Sequence, residues 1–159
     1  MQKLLHASCV EFHKKGILLL GPSGSGKSEL ALRLISLGAR LVADDCVLFD
    51  ATTLQAVCPD NLCGKMEMRG VGIVPMPHKN KTKIHLCVAL CPRAQVERFP
   101  LTADTFEGVP LLHLSGHDVA ATADKIAFIC QNKNIRAFLQ AAQSSSPVVH
   151  KKNCSLSKL

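Results

Sequence analysis

Eight consecutive residues carry the most specific chemistry in the chain. Gly21, Pro22, Ser23, Gly24, Ser25, Gly26, Lys27 and Ser28 fit the pattern G-x-x-x-x-G-K-[ST]. Glycines at this spacing let consecutive backbone N–H groups turn inward around phosphate oxygens. Lys27 can reach the β- and γ-phosphates of a nucleotide, and the Ser28 hydroxyl can ligate Mg²⁺. A helix opening from the loop points its positive end at the anion. The motif follows an apolar run and opens a glycine-free periodic stretch, the context that separates a phosphate cradle from a merely glycine-rich turn. Asp44 and Asp45 begin 23 residues after Gly21. One carboxylate there could hold magnesium and the other accept a substrate proton, because neighbouring charges push their pKa values apart. The alternative is a polar strand end facing water. In the segment Met66-Glu-Met-Arg-Gly-Val-Gly-Ile73, Glu67 and Arg69 stand two apart and share a face if the backbone is extended. A carboxylate for metal beside a guanidinium for phosphate fits such a pair, and so does an exposed, salt-bridged strand.

These groups need elements to hold them. Residues 4–20 read as two strands joined by a basic turn at 13–16, with 16–20 a continuous buried run. Residues 28–37 read as a helix: Leu30, Leu34 and Leu37 recur at helical spacing, and Gly38 stands where a C′ glycine would end it. Residues 41–43 return as a short apolar strand that ends on the aspartate pair. Strand, loop, helix, strand is a βαβ unit, and it predicts an α/β layered fold. Further strands are predicted over 54–58, 72–74, 84–90 and 110–114, with a basic loop over 75–83. The pattern from 117 to 143 is helical, with Val119, Ala123, Ile126 and Ile129 or Cys130 on one side and a break at 132–134. One domain over 1–146 and a basic, frayed tail over 147–159 follow from this. There is no internal repeat.

Composition narrows the class. The 159 residues, 47% apolar and 19% charged, suit one globular domain. Such a chain buries roughly 70% of the surface it exposes when unfolded and needs no staple. No apolar stretch approaches the ~20 residues that would span a bilayer, so no membrane partner is expected. The eight cysteines include no C-x-x-C pair, and Cys87 and Cys91 lie inside an apolar run. They read as small hydrophobes with free thiols rather than zinc ligands, which points to a reduced, cytoplasmic setting. The first nine residues fall short of a lipoprotein signal, since their apolar region is brief and His6 interrupts it. A net charge of +7 favours an anionic partner. Trp and Tyr are absent, so a stacking surface for nucleic acid has little to work with. Lys79, Lys81 and Lys83 form a basic cluster that could serve phosphates, an acidic or phosphorylated partner surface or, as the alternative, nucleic acid.

In their order and spacing these features resemble the catalytic domain of HPr kinase/phosphorylase, closely over residues 4–75 and loosely beyond. The resemblance rests on His6 standing 15 residues before Gly21, on the cradle followed by Glu29, on Gly38-Ala-Arg-Leu-Val-Ala-Asp-Asp45, and on Glu67-Met-Arg-Gly-Val-Gly-Ile73. It implies a P-loop kinase fold with a mixed β-sheet akin to phosphoenolpyruvate carboxykinase, and a hexamer. It implies ATP and Mg²⁺ as cofactors, and a cytoplasmic enzyme that phosphorylates a regulatory serine of HPr, the small carrier protein of the bacterial phosphotransferase system. By the same resemblance Asp45 is the base that takes the serine proton, and His6 sits near Asp44 and Asp45 and tunes them. Lys27 stabilises charge on the moving phosphoryl group, Ser28 and Glu67 hold Mg²⁺, and Arg69 contacts phosphate. Three departures stand out. Full-length members carry a domain before the catalytic one, so this chain resembles the short, single-domain form. Cys46 follows the aspartates where a basic residue is common. His117 stands where the family carries a phosphate-contacting arginine, which bears on the reverse, phosphate-dependent (phosphorylase) reaction that yields pyrophosphate. The alternatives are a related P-loop kinase for another acceptor and a nucleotide-sensing protein without transfer activity.

Overall fold

The computed structural model describes residues 1–100 and 103–144; the tail predicted over 147–159 and the domain limit at 146 lie outside the described residues. Its elements in chain order begin with β1 (Gln2–Leu5), β2 (Ser8–Phe12), β3 (Lys15–Leu20), α1 (Lys27–Ser36), β4 (Arg40–Ala43), β5 (Val47–Asp50) and β6 (Gln55–Val57). There follow β7 (Lys65–Met68), β8 (Gly72–Pro75), β9 (Lys81–Cys91), a 3-10 turn at Arg93–Gln95, β10 (Asp104–Phe106), β11 (Val109–Ser115), α2 (Val119–Cys130) and α3 (Ile135–Ser144).

The centre of the sheet is built from strands that are apolar on both faces. In β3, Ile17 and Leu19 join a core with Leu30, Leu34, Leu86, Val88 and Ile126, while Leu18 and Leu20 face a second core with Phe49, Val47 and Cys87. Burial on both faces is why residues 16–20 read as a continuous run rather than an alternation. The first core lies under the helices; the second lies under β5 and β6. The expected α/β architecture with a mixed sheet is the observed one.

Strand directions decide where chemistry can collect. β3 pairs with β9 in parallel, β9 pairs with β11 in parallel, and β2 runs antiparallel to both β3 and β4. Hence β3, β4, β9 and β11 all point the same way and β2 points back. The carboxyl ends of four strands and the amino end of β2 therefore meet at one edge of the sheet, where ligands bind in open α/β sheets.

Several expectations are corrected in detail. Residues 2–20 form three strands, because β1 leaves the main layer to pair antiparallel with β5. The basic turn between β2 and β3 is shorter than expected: His13 and Lys14 both take positive φ, 49° and 61°, the two-residue hairpin geometry that normally selects Asn or Gly. β5 and β10 had no sequence signal of comparable strength, since each is only 4 or 3 residues long. Leu54 belongs to a turn, and β6 starts at Gln55. The predicted loop over 75–83 is cut short by β9, which takes in Lys81 and Lys83. What remains hydrogen-bonds along the free edge of β4, with Leu41 N–H donating to Pro77 O and Lys79 N–H to Leu41 O, each at 2.8 Å. The break predicted at 132–134 is present. Asp118 caps α2 by accepting from Ala121 N–H at 3.0 Å, and Asn134 accepts from Ala137 N–H at 3.1 Å at the start of α3. Gly38 ends α1 as predicted, with φ of 107°, its N–H on Ile35 O and the Ala39 N–H on Leu34 O.

Candidate active site

At the convergent edge of the sheet lies a cleft of about 920 Å³, walled by the loop after β3, the β4–β5 turn, the β7–β8 hairpin and the segments that follow β9 and β11. The cradle from Pro22 to Ser28, His6, Asp44, Asp45, Glu67, Arg69 and His117 all line it, and Gly21 stands just behind.

The cradle is formed locally. Leu20 ends β3 in the core, Ser25 N–H donates to Pro22 O at 3.1 Å, and α1 starts at Lys27. The first-turn amides of α1 therefore face the cleft with the positive end of the helix dipole. Lys27 as a residue is only 5% exposed. It donates to Gly21 O at 2.8 Å and to Pro22 O at 3.0 Å. Burial pushes the Lys27 pKa below its ordinary value, and the Asp45 and Asp44 carboxylates pull it part of the way back. The hydroxyl oxygen of Ser25 is buried without a partner inside the same loop.

The wall behind the cradle is backbone packed on backbone. A Cβ on Gly116 would stand 2.0 Å from Ser25 O, and one on Gly26 would stand 3.2 Å from Gly116 O. The β11–α2 loop can thus press on the cradle only with glycine at 116. It is pinned there by Thr122 Oγ1 donating to Ser115 O at 2.8 Å and by His117 N–H donating to Ser115 Oγ at 3.2 Å. His117 follows at the rim, exposed to the cleft.

The aspartate pair is divided by its surroundings. Asp44 is half-buried, and its Oδ1 accepts from Ser8 Oγ at 2.6 Å and from Ser28 Oγ at 3.0 Å. Asp45 is exposed, in the left-handed region with φ of 63°, which Asp tolerates better than most residues. Among the described residues no hydrogen bond holds the Asp45 carboxylate. The turn instead aims the Asp45 carbonyl inward, where it meets Ala7 N–H at 3.2 Å and His6 Nδ1 at 3.1 Å. His6 lies in the bend between β1 and β2, and its Nε2 is 3.4 Å from Lys27 Nζ. One neutral tautomer makes both bonds: Nδ1–H donates to Asp45 O, and Nε2 accepts from the lysine. His6 thus contacts the backbone carbonyl of Asp45 and the Lys27 ammonium.

Glu67 lies in β7 opposite Ile73, both exposed. Arg69 has already left the strand for the hairpin turn, so the shared strand face expected of Glu67 and Arg69 is not formed; the turn brings both to the cleft instead. Ser28, Asp44 and Glu67 offer hard oxygen donors on one cleft, a donor chemistry that suits Mg²⁺, and the first two already touch. Lys79, Lys81 and Lys83 are not part of this site. Lys81 starts β9 and the cleft lies at its other end, about 30 Å away at ~3.3 Å per residue. Lys79 is held by Glu11 at 2.7 Å. Ser8, fully buried, is the residue that sequence reasoning missed; a lone serine in an apolar strand gives no signal of its own.

Comparison with known proteins matches this arrangement. The family model described as the HPr Serine kinase C-terminal domain matches residues 1–107. An HPr kinase/phosphorylase of Variovorax paradoxus (strain S110) is 31% identical over 153 residues, covering 89% of this chain and 46% of that protein. One from Verminephrobacter eiseniae (strain EF01-2) is 37% identical over 125 residues, covering 68% and 39% respectively. Another, from Xylella fastidiosa (strain M12), is 44% identical over 77 residues, 46% of this chain and 24% of that protein. The chain thus spans between about a quarter and a half of the length of these curated relatives. Among solved structures, the Hpr(Ser) kinase/phosphatase from Coxiella burnetii superposes with a TM-score of 0.67 at 26% identity, over 79% of this chain and 94% of that one.

Proposed function

The chain belongs to the HPr serine kinase C-terminal domain family, and on that premise we propose that it is an ATP- and Mg²⁺-dependent protein-serine kinase acting on a serine of the carrier protein HPr. The observation that carries the reading is the pairing of a complete phosphate cradle with one free, exposed carboxylate, Asp45, across the same cleft. A macromolecular hydroxyl can reach an exposed carboxylate at the rim, whereas Asp44 is half-buried with its Oδ1 already held by Ser8 and Ser28.

The roles follow from position. The cradle amides and Lys27 hold the β- and γ-phosphates of ATP and stabilise charge on the transferring group. Asp45 accepts the proton as the serine oxygen bonds to the γ-phosphorus and the bond to the ADP oxygen breaks. His6 fixes the Asp45 turn from behind and sets its Nε2 3.4 Å from the Lys27 ammonium. Arg69 reaches phosphate from the hairpin. Ser28, Asp44 and Glu67 are the residues to hold Mg²⁺, which when bound neutralises charge on the phosphate oxygens. A cytoplasmic location and a homo-oligomer accompany this reading by family likeness, and among the described residues no helix is long and apolar enough to cross a membrane.

Incubation with labelled ATP, Mg²⁺ and HPr from the same cell should place the label on serine. Asp45→Asn should abolish transfer and leave nucleotide affinity largely unchanged; a fully active variant would refute Asp45 as the base. Nucleotide binding without transfer to any protein would instead favour a sensor. The reverse reaction turns on His117, whose imidazole lacks the bidentate fork that an arginine offers. Phosphate added to serine-phosphorylated HPr should therefore release pyrophosphate slowly, and His117→Arg should speed it.

A further inference from the structure

Away from the cleft, the loop between β6 and β7 brings two thiols to one point. Cys58 is 2% exposed and Cys63 is half-buried. Cys58 Sγ donates to Pro59 O at 3.3 Å, and Cys63 Sγ donates to the same oxygen at 3.5 Å. Leu62 N–H also donates to it, at 2.9 Å. Three donors therefore converge on a carbonyl that has two lone pairs. Burial, with the Cys63 thiol beside it, pushes the Cys58 thiol up to about 12. Elsewhere Cys9, Cys87 and Cys130 are buried in the cores, where burial raises their thiols too and keeps them out of exchange.

The loop is tied at both ends to the segment after the β7–β8 hairpin. Cys58 N–H donates to Asn80 O at 2.9 Å, and Met76 N–H donates to Gly64 O at 2.8 Å. His78 packs on Gly64 so closely that a Cβ there would stand 2.5 Å from its ring nitrogen. The thiol pair thus sits at the base of the hairpin that carries Glu67 and Arg69 to the cleft.

We propose that Cys58 and Cys63 form a reversible intramolecular disulfide that locks the base of this hairpin. The oxidant is a peroxide. The Cys63 sulfur, the more accessible, attacks one peroxide oxygen; the O–O bond breaks, one water leaves and Cys63 becomes a sulfenic acid. The Cys58 sulfur then attacks the Cys63 sulfur, the S–O bond breaks, and a second water leaves with the Cys58 proton. Two thiols and one hydrogen peroxide give one disulfide and two waters, and a small dithiol reverses it. Closing the bond removes both thiol donors from Pro59 O and leaves that oxygen to Leu62. The raised Cys58 thiol makes the second step the slow one. The inference is independent of the assigned acceptor protein.

The test uses the full reduced chain and one equivalent of hydrogen peroxide. Remaining thiols are alkylated, and the protein is digested with trypsin and a protease that cuts before aspartate. Cutting before Asp60 and after Lys65 leaves Cys58 and Cys63 on separate peptides, residues 50–59 and 60–65, which stay joined only through an S–S bond. The expected result is the joined pair, released by dithiothreitol and absent in Cys63→Ser. In Cys58→Ser, dimedone should trap a sulfenic acid at Cys63. Amide exchange over residues 65–75 should slow severalfold in the oxidised chain and be unchanged in peroxide-treated Cys63→Ser. Cys58 and Cys63 both still alkylatable after the peroxide is consumed, or Cys63 joined to Cys46 instead, would overturn the disulfide. A joined pair with unchanged exchange over 65–75 would overturn the lock.

Discussion

Asp44 and Asp45 are identical side chains one peptide apart, and their surroundings make them different tools. Two hydroxyls converge on Asp44 Oδ1, whereas the left-handed turn at Asp45 spends its backbone on His6 and leaves its carboxylate outside. The pair itself was legible in the sequence, because two adjacent acids at a strand end beside a phosphate cradle are unusual. Which acid does which task was not, because the deciding partner, Ser8, comes from a strand 36 residues away. A hydrogen bond to a charged group is worth about 1.5–3 kcal/mol. Ser8→Ala fits the same buried space, so it should fold normally yet lower phosphoryl transfer at least about tenfold, at ~1.4 kcal/mol per decade. Steady-state transfer beside a thermal melt checks this, and an unchanged rate would remove Ser8 from the site.

Elements place these residues with little tolerance. The cradle is backed by the β11–α2 loop through a contact so close that only glycine fits at 116. Gly116→Ala must push the Ser25 carbonyl away from a Cβ and so deform the cradle. Its expected signature is nucleotide affinity reduced about tenfold or more, a loss of ~1.4 kcal/mol or more by affinity arithmetic, with a smaller change in melting temperature. Titration calorimetry with an ATP analogue would measure it, and wild-type affinity would mean that the loop can simply retreat. The βαβ unit over residues 15–43 was readable because its periodicity is strong and its turn chemistry explicit. The hairpin was half readable: Glu67 and Arg69 were marked as a pair, but a strand of 4 residues ends before Arg69, and the turn does the aiming. The turn after β2 was read from the sequence over 13–16, but its two-residue form with positive φ at His13 and Lys14 was not, since neither is the Asn or Gly that such a turn usually selects.

At the scale of the molecule, charge is distributed otherwise than composition suggested. The net +7 favoured an anionic partner and left the lysines at 79–83 open to phosphates, an acidic or phosphorylated surface, or nucleic acid, but they lie at the far end of β9 from the cleft, and Lys79 serves the fold. Glu11 on β2 accepts from Thr82 Oγ1 at 2.7 Å and pairs with Lys79 at 2.7 Å. Burial pushes the Glu11 carboxyl up, but the bonds from Lys79 and Thr82 outweigh it and leave its pKa below the ordinary value. A depressed carboxylate contributes stability that is fully present above its unfolded pKa and is lost as pH falls through the folded value. Glu11→Gln should therefore cost about 1–2 kcal/mol near neutrality and nearly nothing in strong acid, which urea midpoints at the two pH values would show. The parallel pairing of β3 with β9, and of β9 with β11, has a consequence for a chain still being made. The phosphate motif is complete once Ser28 has been added, but the parallel neighbour of β3 ends at Cys91 and the backing of the cradle arrives only at Gly116. A growing chain thus carries the whole binding motif long before it has a cleft. Until translation passes residue 116, no ligand of the cleft can lend it stability, and the apolar surface that β9 will cover is left to whatever else can cover it.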